Sequence, residues 1–397
     1  MAIQVPAGFQ LAGVYCGIKS DPSRLDFTLI HCPQAATAAG VYTQNLVYAA
    51  PVALDRKRTP TANFRVLAVN SGNANACTGD RGMRDAETMA HMAAVSCQAT
   101  AEQALVMSTG IIGEFLPMDR IGAGAKAAAA KLGSDEAAFL SAARGIMTTD
   151  QYHKVASRSL TLADKTVRIA GMCKGAGMIG PNMATMLGII LTDAQLSPAE
   201  AQEMLAYVAD RSFNCIAVEG HMSTNDTLVL LASGAAGTGP LSDADRGVFQ
   251  QALLETSIEL CRQIPDDGEG ASHLIVIDVR GCRTRAEARQ IAKTIAESAL
   301  VKTAVYGADP NWGRIVSAAG YAGVPFDPAR LNLQINGLPL YRAGAPVPFD
   351  AAVVSAAIKN QRETLVELTL AEGDAECRFW TSDLGHEYIN VNADYHT

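Results

Sequence analysis

A glycine-rich segment in the middle of the chain holds the residues with the clearest capacity for chemistry. Residues 174–187 read Lys-Gly-Ala-Gly-Met-Ile-Gly-Pro-Asn-Met-Ala-Thr-Met-Leu. A small, flexible loop, an Ala184–Thr185 step and a buried strand follow one another, so the sequence presents a threonine at the start of a strand. A threonine hydroxyl is a weak nucleophile unless a base lies beside it.

The same glycines offer a different interpretation. Gly175–Gly180 match the GxGxxG pattern of a dinucleotide loop and follow a plausible strand, with Asp193 further on. However, Pro181 follows the last glycine, and only ten residues separate Gly180 from Leu191, which is too short for a strand-crossing helix. A nicotinamide-dependent dehydrogenase therefore remains a distant alternative, and the glycines are better explained by a loop that needs positive φ angles.

Short apolar runs alternate with helical patterns through the first three quarters of the chain, which predicts an α/β architecture. The predicted strands are Phe64–Val69, Ala104–Met107, Val167–Ala170, Leu187–Thr192, Leu228–Leu231 and Leu274–Val279. Helices are predicted to begin after Ser197, Ser242 and Thr284, with capping-box spacing to Glu200 and Glu287 at the first and last of these.

Two further segments complete the prediction of secondary structure. Alanine-rich residues 120–144 favour a packed pair of helices over a linker. The last part of the chain, from about 331 to 397, is expected to form an antiparallel sheet. Its predicted strands are Leu331–Ile335, Thr364–Leu370, Cys377–Thr381 and Glu387–Val391.

Composition narrows the class of function. The 397 residues carry a formal net charge of −8, which opposes nucleic acid and anionic membranes as partners and favours small molecules. Nine scattered cysteines without CxxC spacing predict buried thiols, with neither a disulfide framework nor a metal site. The N-terminal residues lack a signal-peptide pattern and no apolar run is long enough to span a membrane, so a cytoplasmic protein is expected.

The chain resembles the ornithine acetyltransferase family, the bifunctional glutamate N-acetyltransferases of the cyclic arginine pathway. The segment around Thr185 is similar to the family's self-cleavage motif, and further motifs follow in the family's order along nearly the whole chain. They are Asn70–Gly79, Ser108–Gly113, Met147–Asp150, Ser223–Thr227, Asp267–Ala271, Asp309–Arg314 and Asn392–Thr397.

The resemblance implies that the threonine hydroxyl breaks the peptide bond between Ala184 and Thr185. An α-chain of residues 1–184 and a β-chain of residues 185–397 would result, entwined in a layered αββα-type sandwich and assembled as an α2β2 heterotetramer. The freed α-amine of Thr185, with an ordinary pKa of about 7.7–8.0, would then serve as the base for its own hydroxyl.

The resemblance also implies a ping-pong reaction. N-acetylornithine acetylates Thr185, ornithine leaves, and glutamate accepts the acetyl group. Thr109 and Gly110 correspond to the oxyanion hole. The family's substrate contacts correspond to Thr148, Lys174, Thr185, Glu269, Asn392 and Thr397.

The charges of this set suit an amino acid with a side-chain amine. Lys174 suits a substrate carboxylate and Glu269 the δ-ammonium of ornithine. Thr148 and its neighbour Thr149 are alternatives for the same substrate contact. Asn75 and Asn225 are interpreted as structural. No cofactor or metal is expected, although acetyl-CoA as a second acetyl donor stays open.

Other functions stay open as well. In an N-terminal-nucleophile amidase or aminopeptidase, water would take the acyl group, and another family member could use a different amino-acid acceptor. Three histidines, His153, His221 and His396, stand where other residues are common in the family. Of these, His221 replaces a carboxylate beside the Ser223–Thr227 motif, which would alter the local charge and substrate preference.

Overall fold

The computed structural model describes residues 3–180 and 186–394, in which helices and strands alternate. The strands are β1 (Gln10–Val14), β2 (Phe27–Tyr42), β3 (Thr61–Asn73), β4 (Ala104–Ile111), β5 (Lys154–Leu162), β6 (Lys165–Lys174), β7 (Leu187–Thr192), β8 (Ile216–Ala217), β9 (Thr227–Ala232), β10 (Leu274–Cys282), β11 (Asn332–Ile335), β12 (Leu338–Arg342), β13 (Ala345–Pro346), β14 (Glu363–Thr369) and β15 (Ala375–Ser382). The α-helices are α1 (Ala50–Arg58), α2 (Gly79–Ser96), α3 (Met118–Ala129), α4 (Glu136–Gly145), α5 (Pro198–Arg211), α6 (Asp243–Asp266), α7 (Arg285–Ala296), α8 (Ala299–Tyr306), α9 (Trp312–Gly320), α10 (Ala351–Lys359) and α11 (His386–Asp394).

The first of two mixed sheets has eight strands, in the order β4-β3-β2-β9-β7-β6-β5 with β1 beside β2. β3 runs parallel to β4, and β7 runs parallel to β9. β2 is long enough to pair β1 along its first half and β9 along its second half. Strands β7 and β9, which follow Thr185 in the chain, therefore lie between β2 and β6, which precede it.

The second sheet has seven strands, in the order β13-β12-β11-β14-β10-β15-β8. Its edge strand β8 lies between β7 and β9 along the chain but pairs in parallel with β15. The chain thus leaves the first sheet, adds one short strand to the second and returns. Because β8 belongs to the second sheet while its chain neighbours belong to the first, the two sheets are directly connected and no linker separates them.

The helices cover sheet faces that are apolar on both sides, as expected for buried strands. Along β3, Val66 and Ala68 belong to a core with α2 and α3, whereas Leu67 and Val69 point the other way into a core that includes Phe139 of α4. Helices α5 and α6 pack on the first sheet, and α6 also contacts β8 and β15 of the second. Helix α6 therefore bridges the two sheets.

The predicted strands before residue 280 and the predicted helix starts are confirmed. All six strands are present, and each end lies within four residues of its expected position. Ser197 makes the full capping box, since its hydroxyl accepts from the Glu200 amide and the Glu200 carboxylate accepts from the Ser197 amide. At Thr284 only the threonine half forms, because Glu287 binds Arg283 instead. The alanine-rich segment contains the helix pair α3 and α4, as predicted.

One predicted strand is wrong, and the predicted sheet is only partly antiparallel. Glu387–Val391 lies in helix α11, not in a strand. The run alternates apolar and polar residues as an edge strand would, but it folds as a helix whose first turn packs against Gly270. The contact is close, since a Cβ on Gly270 would stand 2.3 Å from the Tyr388 amide nitrogen. Strand β14 pairs antiparallel with β11 but parallel with β10, because α10 carries the chain across from the β12–β13 hairpin.

The cysteines follow the prediction with one clear exception. Seven of the nine are buried, Cys16 is half-buried, and Cys77 is exposed at the start of α2; all nine are free thiols. Cys77 has a positive φ of 58°, so the turn that begins α2 directs it outward. Among the helices described here, none combines the length and apolar character that crossing a bilayer demands.

Candidate active site

A polar cavity of about 230 Å³ opens on the first sheet, where β4 and β6 end and β9 begins. Six residues that the sequence assigned to the site line it. The lining residues are Ala74, Thr109, Gly110, Ile112, Thr148, Thr149, Lys174, Gly177, Met178, Ser223, Thr224, Asn225, Glu269 and Asn392. A cavity of this size is slightly smaller than most ligand pockets, which suits a ligand as small as an amino acid.

Thr109 and Gly110 lie at the end of β4 beside the neighbouring strand β3. The two strands pair in parallel, with Gly72 opposite Gly110. Gly110 has a φ of +134°, and a Cβ there would stand 2.2 Å from the Gly72 carbonyl carbon. Only glycine fits this close approach. The backbone of the predicted oxyanion hole is thereby fixed by its neighbour.

Asn225 joins the segment after β3 to β4. Its buried amide donates to the carbonyl oxygens of Ala74 (2.6 Å) and Ser108 (2.8 Å). Because a peptide group is planar, fixing the Ser108 carbonyl also fixes the direction of the Thr109 N–H. The interpretation of Asn225 as structural is therefore incomplete, since its side chain also lines the cavity. Its place in the Ser223–Thr227 motif was the available signal.

Lys174 ends β6 and is 3% exposed. Its ammonium donates to the Thr109 hydroxyl at 3.3 Å. Burial lowers the pKa of Lys174, while the carboxylates of Asp150 and Glu269 oppose that shift. Within residues 3–180 and 186–394 the Lys174 ammonium has one hydrogen-bond partner, which is neutral, so it has donors left for an anionic group in the cavity.

Behind Lys174 lies a buried ion cluster. Lys154 binds Asp150 at 2.7 Å and Asp267 at 2.6 Å, with all three side chains almost fully buried. Although burial opposes it, the ammonium groups of Lys154 and Lys174 lower the pKa of Asp150. Asp150 also accepts from the Gly175 amide at 2.7 Å, so the cluster fixes the chain where it leaves Lys174.

The loop that carries Thr148 is anchored to the same cluster. The Thr148 amide donates to Asp150 at 2.9 Å, and Lys19 donates to the Met147 carbonyl at 2.7 Å. The Arg24 guanidinium donates to the Thr148 carbonyl. Both Thr148 and Thr149 line the cavity, so the choice between them as substrate contact stays a prediction.

Glu269 and Asn392 form the other end of the cavity. The Asn392 amide on α11 donates to the half-buried Glu269 carboxylate at 2.9 Å. A Cβ on Gly177 would stand 2.4 Å from that carboxylate, so this glycine gives Glu269 its space. The helix that the sequence prediction missed is thus the element that delivers Asn392.

A second glutamate lies close to Glu269. Burial and the Glu269 carboxylate raise the pKa of Glu219 to about 7. Both of its carboxylate oxygens are buried and lack a hydrogen-bond partner in the part of the chain described. Sequence reasoning missed Glu219, since an acidic residue before a glycine resembles an ordinary turn.

The Gly175–Gly180 loop does not build a dinucleotide site. It follows β6, and β6 pairs antiparallel with β7, whereas a dinucleotide fold requires a parallel crossover at this point. Gly175 has a positive φ of 146°. Gly180 instead allows close packing, since a Cβ there would lie 2.6 Å from the Gly220 carbonyl carbon.

Three of the predicted site residues, Ala184, Thr185 and Thr397, lie outside the described residues, as does His396. Their roles remain predictions. Of the other two unusual histidines, neither His153 nor His221 is among the described residues that line the cavity. Within residues 3–180 and 186–394, no three His, Cys, Asp or Glu side chains come together as metal ligands.

Together, the fold and the site define a two-sheet α/β protein whose small polar cavity is lined by both a buried cation and a carboxylate. The ArgJ family model matches residues 10–397. A relative from Rhodopirellula baltica, named arginine biosynthesis bifunctional protein ArgJ, is 45% identical over 99% of this chain and 96% of its own. A protein of the same name from Symbiobacterium thermophilum is 45% identical over 100% and 98%.

One solved structure agrees with these relatives. The crystal structure of an arginine biosynthesis bifunctional protein ArgJ from Bacillus halodurans matches 53% of this chain and 100% of its own, with 36% identity and a TM-score of 0.52. The chain therefore belongs to the ArgJ family, and the resemblance read from its motifs is confirmed.

Proposed function

We propose that this member of the ArgJ family is a glutamate N-acetyltransferase of arginine biosynthesis that uses N-acetylornithine as its acetyl donor and Thr185 as its nucleophile. The observation that carries the proposal is that one cavity is lined by Thr109 and Gly110, by Lys174, whose ammonium binds the Thr109 hydroxyl, and by the Glu269–Asn392 pair. An acyl group, a carboxylate and a side-chain ammonium are the chemical features that such a lining complements.

The position of Thr185 in the sequence supports its role. Strand β7 begins at Leu187, which pairs with Lys174. Thr185 thus stands two residues before the strand whose first residue pairs with the cavity residue Lys174. In the proposed cycle the Thr185 hydroxyl attacks the acetyl carbonyl, and its own α-amine takes the hydroxyl proton and returns it to the departing ornithine nitrogen.

The second half of the cycle reverses the first. The amine of glutamate attacks the acetyl-threonine ester, loses a proton to the Thr185 amine, and leaves as N-acetylglutamate while the hydroxyl is restored. Both halves pass through a tetrahedral oxyanion, for which the Thr109 and Gly110 N–H groups are the proposed donors. Lys174 would bind a substrate carboxylate and Glu269 the δ-ammonium of ornithine.

The free α-amine requires the cut between Ala184 and Thr185, giving chains 1–184 and 185–397. The first sheet supports a product that stays together, because β7 and β9 of the second chain lie between β2 and β6 of the first. The αββα layering that the family resemblance implies is part of the same proposal, and it is supported by the two mixed sheets with helices packed on them. We further propose an α2β2 assembly that works in the cytoplasm and needs no cofactor.

Intact-mass spectrometry on freshly purified protein beside Thr185→Ala tests the nucleophile first. We expect two fragments that sum to the full chain in the wild type and a single uncut chain in the variant. A wild-type chain that stays uncut on long incubation would rule out an α-amine at Thr185 and with it the mechanism.

Acetyl transfer is tested next on the cut protein. N-acetylornithine alone should add one acetyl group to the 185–397 chain, and glutamate should remove it as N-acetylglutamate. Release of acetate that glutamate does not suppress would point to an amidase. Replacing N-acetylornithine by acetyl-CoA, and glutamate by other amino acids, defines the donors and acceptors.

A further inference from the structure

Lys302 on helix α8 is a buried cation to which the reaction proposed above gives no part. It is 2% exposed. Its ammonium donates to the Val218 carbonyl oxygen at 2.6 Å, to the Thr381 hydroxyl at 2.9 Å, and to the carbonyl and hydroxyl oxygens of Ser382. Val218 follows strand β8, and Ser382 ends β15, the strand with which β8 pairs. The lysine therefore joins the ends of two neighbouring strands of the second sheet.

A buried charge at this position requires an explanation. Burial lowers the pKa of Lys302 to about 8, and the nearby carboxylates of Asp383, Glu219 and Glu297 oppose that shift. The four oxygens that accept its hydrogen bonds are neutral. An apolar side chain of similar length would fill the same space without the desolvation penalty of a charge. What such a side chain would lack is the set of hydrogen bonds, so their effect on the surrounding chain is the feature to explain.

The bond to Val218 leads to the loop that carries Gly177. The Val218 amide and the Gly220 amide both donate to the Ile179 carbonyl oxygen, at 2.8 and 3.0 Å. Gly177 stands two residues before Ile179 and lines the cavity. Lys302 thus holds the segment to which this loop is bound.

The bonds to Ser382 lead to a second loop, residues 268–273, which carries Glu269. Ser382 packs directly against this loop, since a Cβ on Gly268 would stand 3.0 Å from the Ser382 Cβ. The Ser382 hydroxyl, which accepts from Lys302 at 3.2 Å, would lie 3.2 Å from the same added atom. Lys302 is therefore one residue away from the chain that enters Glu269.

Asp383, the next residue along the chain, anchors the other end of the 268–273 loop. Its buried carboxylate accepts from the Ser272 amide at 2.8 Å and from the Ser272 hydroxyl, and it lies 3.0 Å from Nδ1 of His273. The Asp383 amide also donates to the His273 carbonyl oxygen at 3.1 Å. The exposed Arg362, which donates to the Ala271 carbonyl oxygen at 2.9 Å, and the first turn of α11 hold the same loop from the surface. Residues 382 and 383 are the supports that Lys302 fixes from the interior.

The two loops meet at Glu269. Its amide donates to the Ala176 carbonyl oxygen at 2.9 Å, and its carboxylate occupies the space that a side chain on Gly177 would fill. A shift of either loop would therefore move the carboxylate within the cavity. Because Lys302 is hydrogen-bonded to the supports of both loops, it sets their positions relative to each other.

We propose that Lys302 is a positioning residue for Glu269: its ammonium ties the segment after β8 to the end of β15 and so holds together the two loops that meet at the Glu269 carboxylate. The inference rests on the proposed function, in which Glu269 binds the δ-ammonium of ornithine. Lys302 acts through the two loops and lies outside the cavity lining described above. Its positive charge repels another cation, so removing the charge and losing the position of Glu269 have opposite effects on substrate binding.

The test compares Lys302→Met with Val305→Ala. Val305 is a matched control because it lies on the same helix and is 3% exposed, and its truncation removes packing without removing a bond of the ammonium. Urea unfolding measures the stability of both variants, and steady-state kinetics with each substrate varied in turn measures kcat and the two KM values. Hydrogen exchange of residues 175–180 and 268–273, followed by mass spectrometry, reports on the loops without requiring activity.

We expect K302M to raise the KM for N-acetylornithine about tenfold relative to V305A, which is the effect of weakening one hydrogen bond to a charged group. The KM for glutamate should change less, because glutamate has no δ-ammonium, and kcat should stay within a few-fold because the oxyanion donors are untouched. Both loops should exchange faster in K302M than in V305A. A purely structural role would lower the stability of both variants and leave the KM of the folded fraction unchanged, whereas a purely electrostatic role would lower that KM.

A folded K302M enzyme whose KM for N-acetylornithine equals or falls below that of V305A overturns the inference. If K302M does not fold, Asp383→Asn decides, because it keeps an oxygen for the Ser272 amide but replaces the oxygen beside His273 by a donor. We expect D383N to raise the same KM a few-fold, and an unchanged KM overturns the inference.

Failure of the proposed function would look different. A wild-type enzyme that transfers no acetyl group from N-acetylornithine defeats the proposed function, and the exchange data then decide about Lys302 alone. Faster exchange of both loops in K302M or D383N than in V305A would still support the positioning role, and equal exchange would overturn it.

Discussion

The two ends of the cavity are built differently. At the oxyanion end, defined by Thr109, Gly110 and Asn225, backbone groups are held by buried hydrogen bonds and by a glycine contact with the neighbouring strand. At the ammonium end, defined by Glu269, Asn392 and Glu219, the half-buried Glu269 carboxylate accepts a hydrogen bond from the exposed side chain of Asn392 on the last helix.

The difference follows from what each end is proposed to do. Stabilising a developing oxyanion requires donors that do not reorganise, because each displaced donor loses most of its effect. Recognising a substrate's ammonium group also requires an opening through which the substrate enters and leaves. Changes at the oxyanion end should therefore reduce kcat, and changes at the ammonium end should raise KM.

The largest expected effect is at Gly110. Gly110→Ala would bring a Cβ to 2.2 Å from the Gly72 carbonyl carbon at a φ of +134°, so the strand end must move. We expect kcat to fall by about 10²- to 10³-fold, as when one oxyanion donor is lost. Gly113→Ala is the control, because Gly113 also has a positive φ of 89° but no atom within 4 Å of the added Cβ. Equal losses in both variants would attribute the effect to backbone strain.

A smaller effect on the same end is expected for Asn225→Asp. The change removes the donor to the Ala74 and Ser108 carbonyl oxygens, which should lower the unfolding free energy by about 2 kcal/mol or more and kcat by about tenfold. Urea unfolding and steady-state kinetics measure the two effects.

Asn336→Asp is the control for Asn225→Asp, because it removes a similar bond, to the Ala357 carbonyl at 3.0 Å, in the second sheet. It should lower stability without lowering the kcat of the folded enzyme. If Asn336→Asp reduced kcat as strongly, the special role of Asn225 would be lost.

The ammonium end should respond in KM. Glu269→Gln keeps the shape of the side chain and its contact with Asn392 but removes the charge. We expect the KM for N-acetylornithine to rise about ten- to a hundredfold, with a smaller change in the step that glutamate takes, because glutamate has no δ-ammonium. Steady-state kinetics with each substrate varied in turn tests this, and equal effects on both substrates would contradict it.

Much of this arrangement follows from the sequence, and the exceptions have physical reasons. Thr109, Gly110, Lys174 and Glu269 could be named because each stands in a motif with a recognisable pattern. That these side chains share one cavity depends on strands β4, β6 and β9 meeting, which no single segment encodes. The family resemblance predicted that these residues form one site, which local secondary-structure propensity cannot indicate.

The errors arose where tertiary contacts decide the outcome. Residues 387–391 alternate like a strand, yet helix α11 packs against Gly270 and carries Asn392 to the cavity. Glu219 gave no signal, since its significance lies in the burial of a carboxylate that has no hydrogen-bond partner in the described part of the chain. A carboxylate's solvation depends on the whole fold and cannot be read from its neighbours in the chain.

The smallest expected effect concerns pH and the ammonium end alone. Burial and Glu269 raise the pKa of Glu219 to about 7, with Lys302 opposing the shift. The folded state thus binds this proton more tightly than the unfolded state, whose glutamate pKa is about 4.3, so Glu219 should make the unfolding free energy fall as the pH rises from about 4.3 to 7.

Above pH 7 the new charge on Glu219 should strengthen the negative potential around Glu269 and lower the KM for N-acetylornithine a few-fold. Glu219→Gln should flatten both pH profiles and leave kcat near its wild-type value. A KM profile that keeps its inflection near pH 7 in this variant would assign the ionisation to another group and leave the ammonium end with Glu269 as its acidic residue.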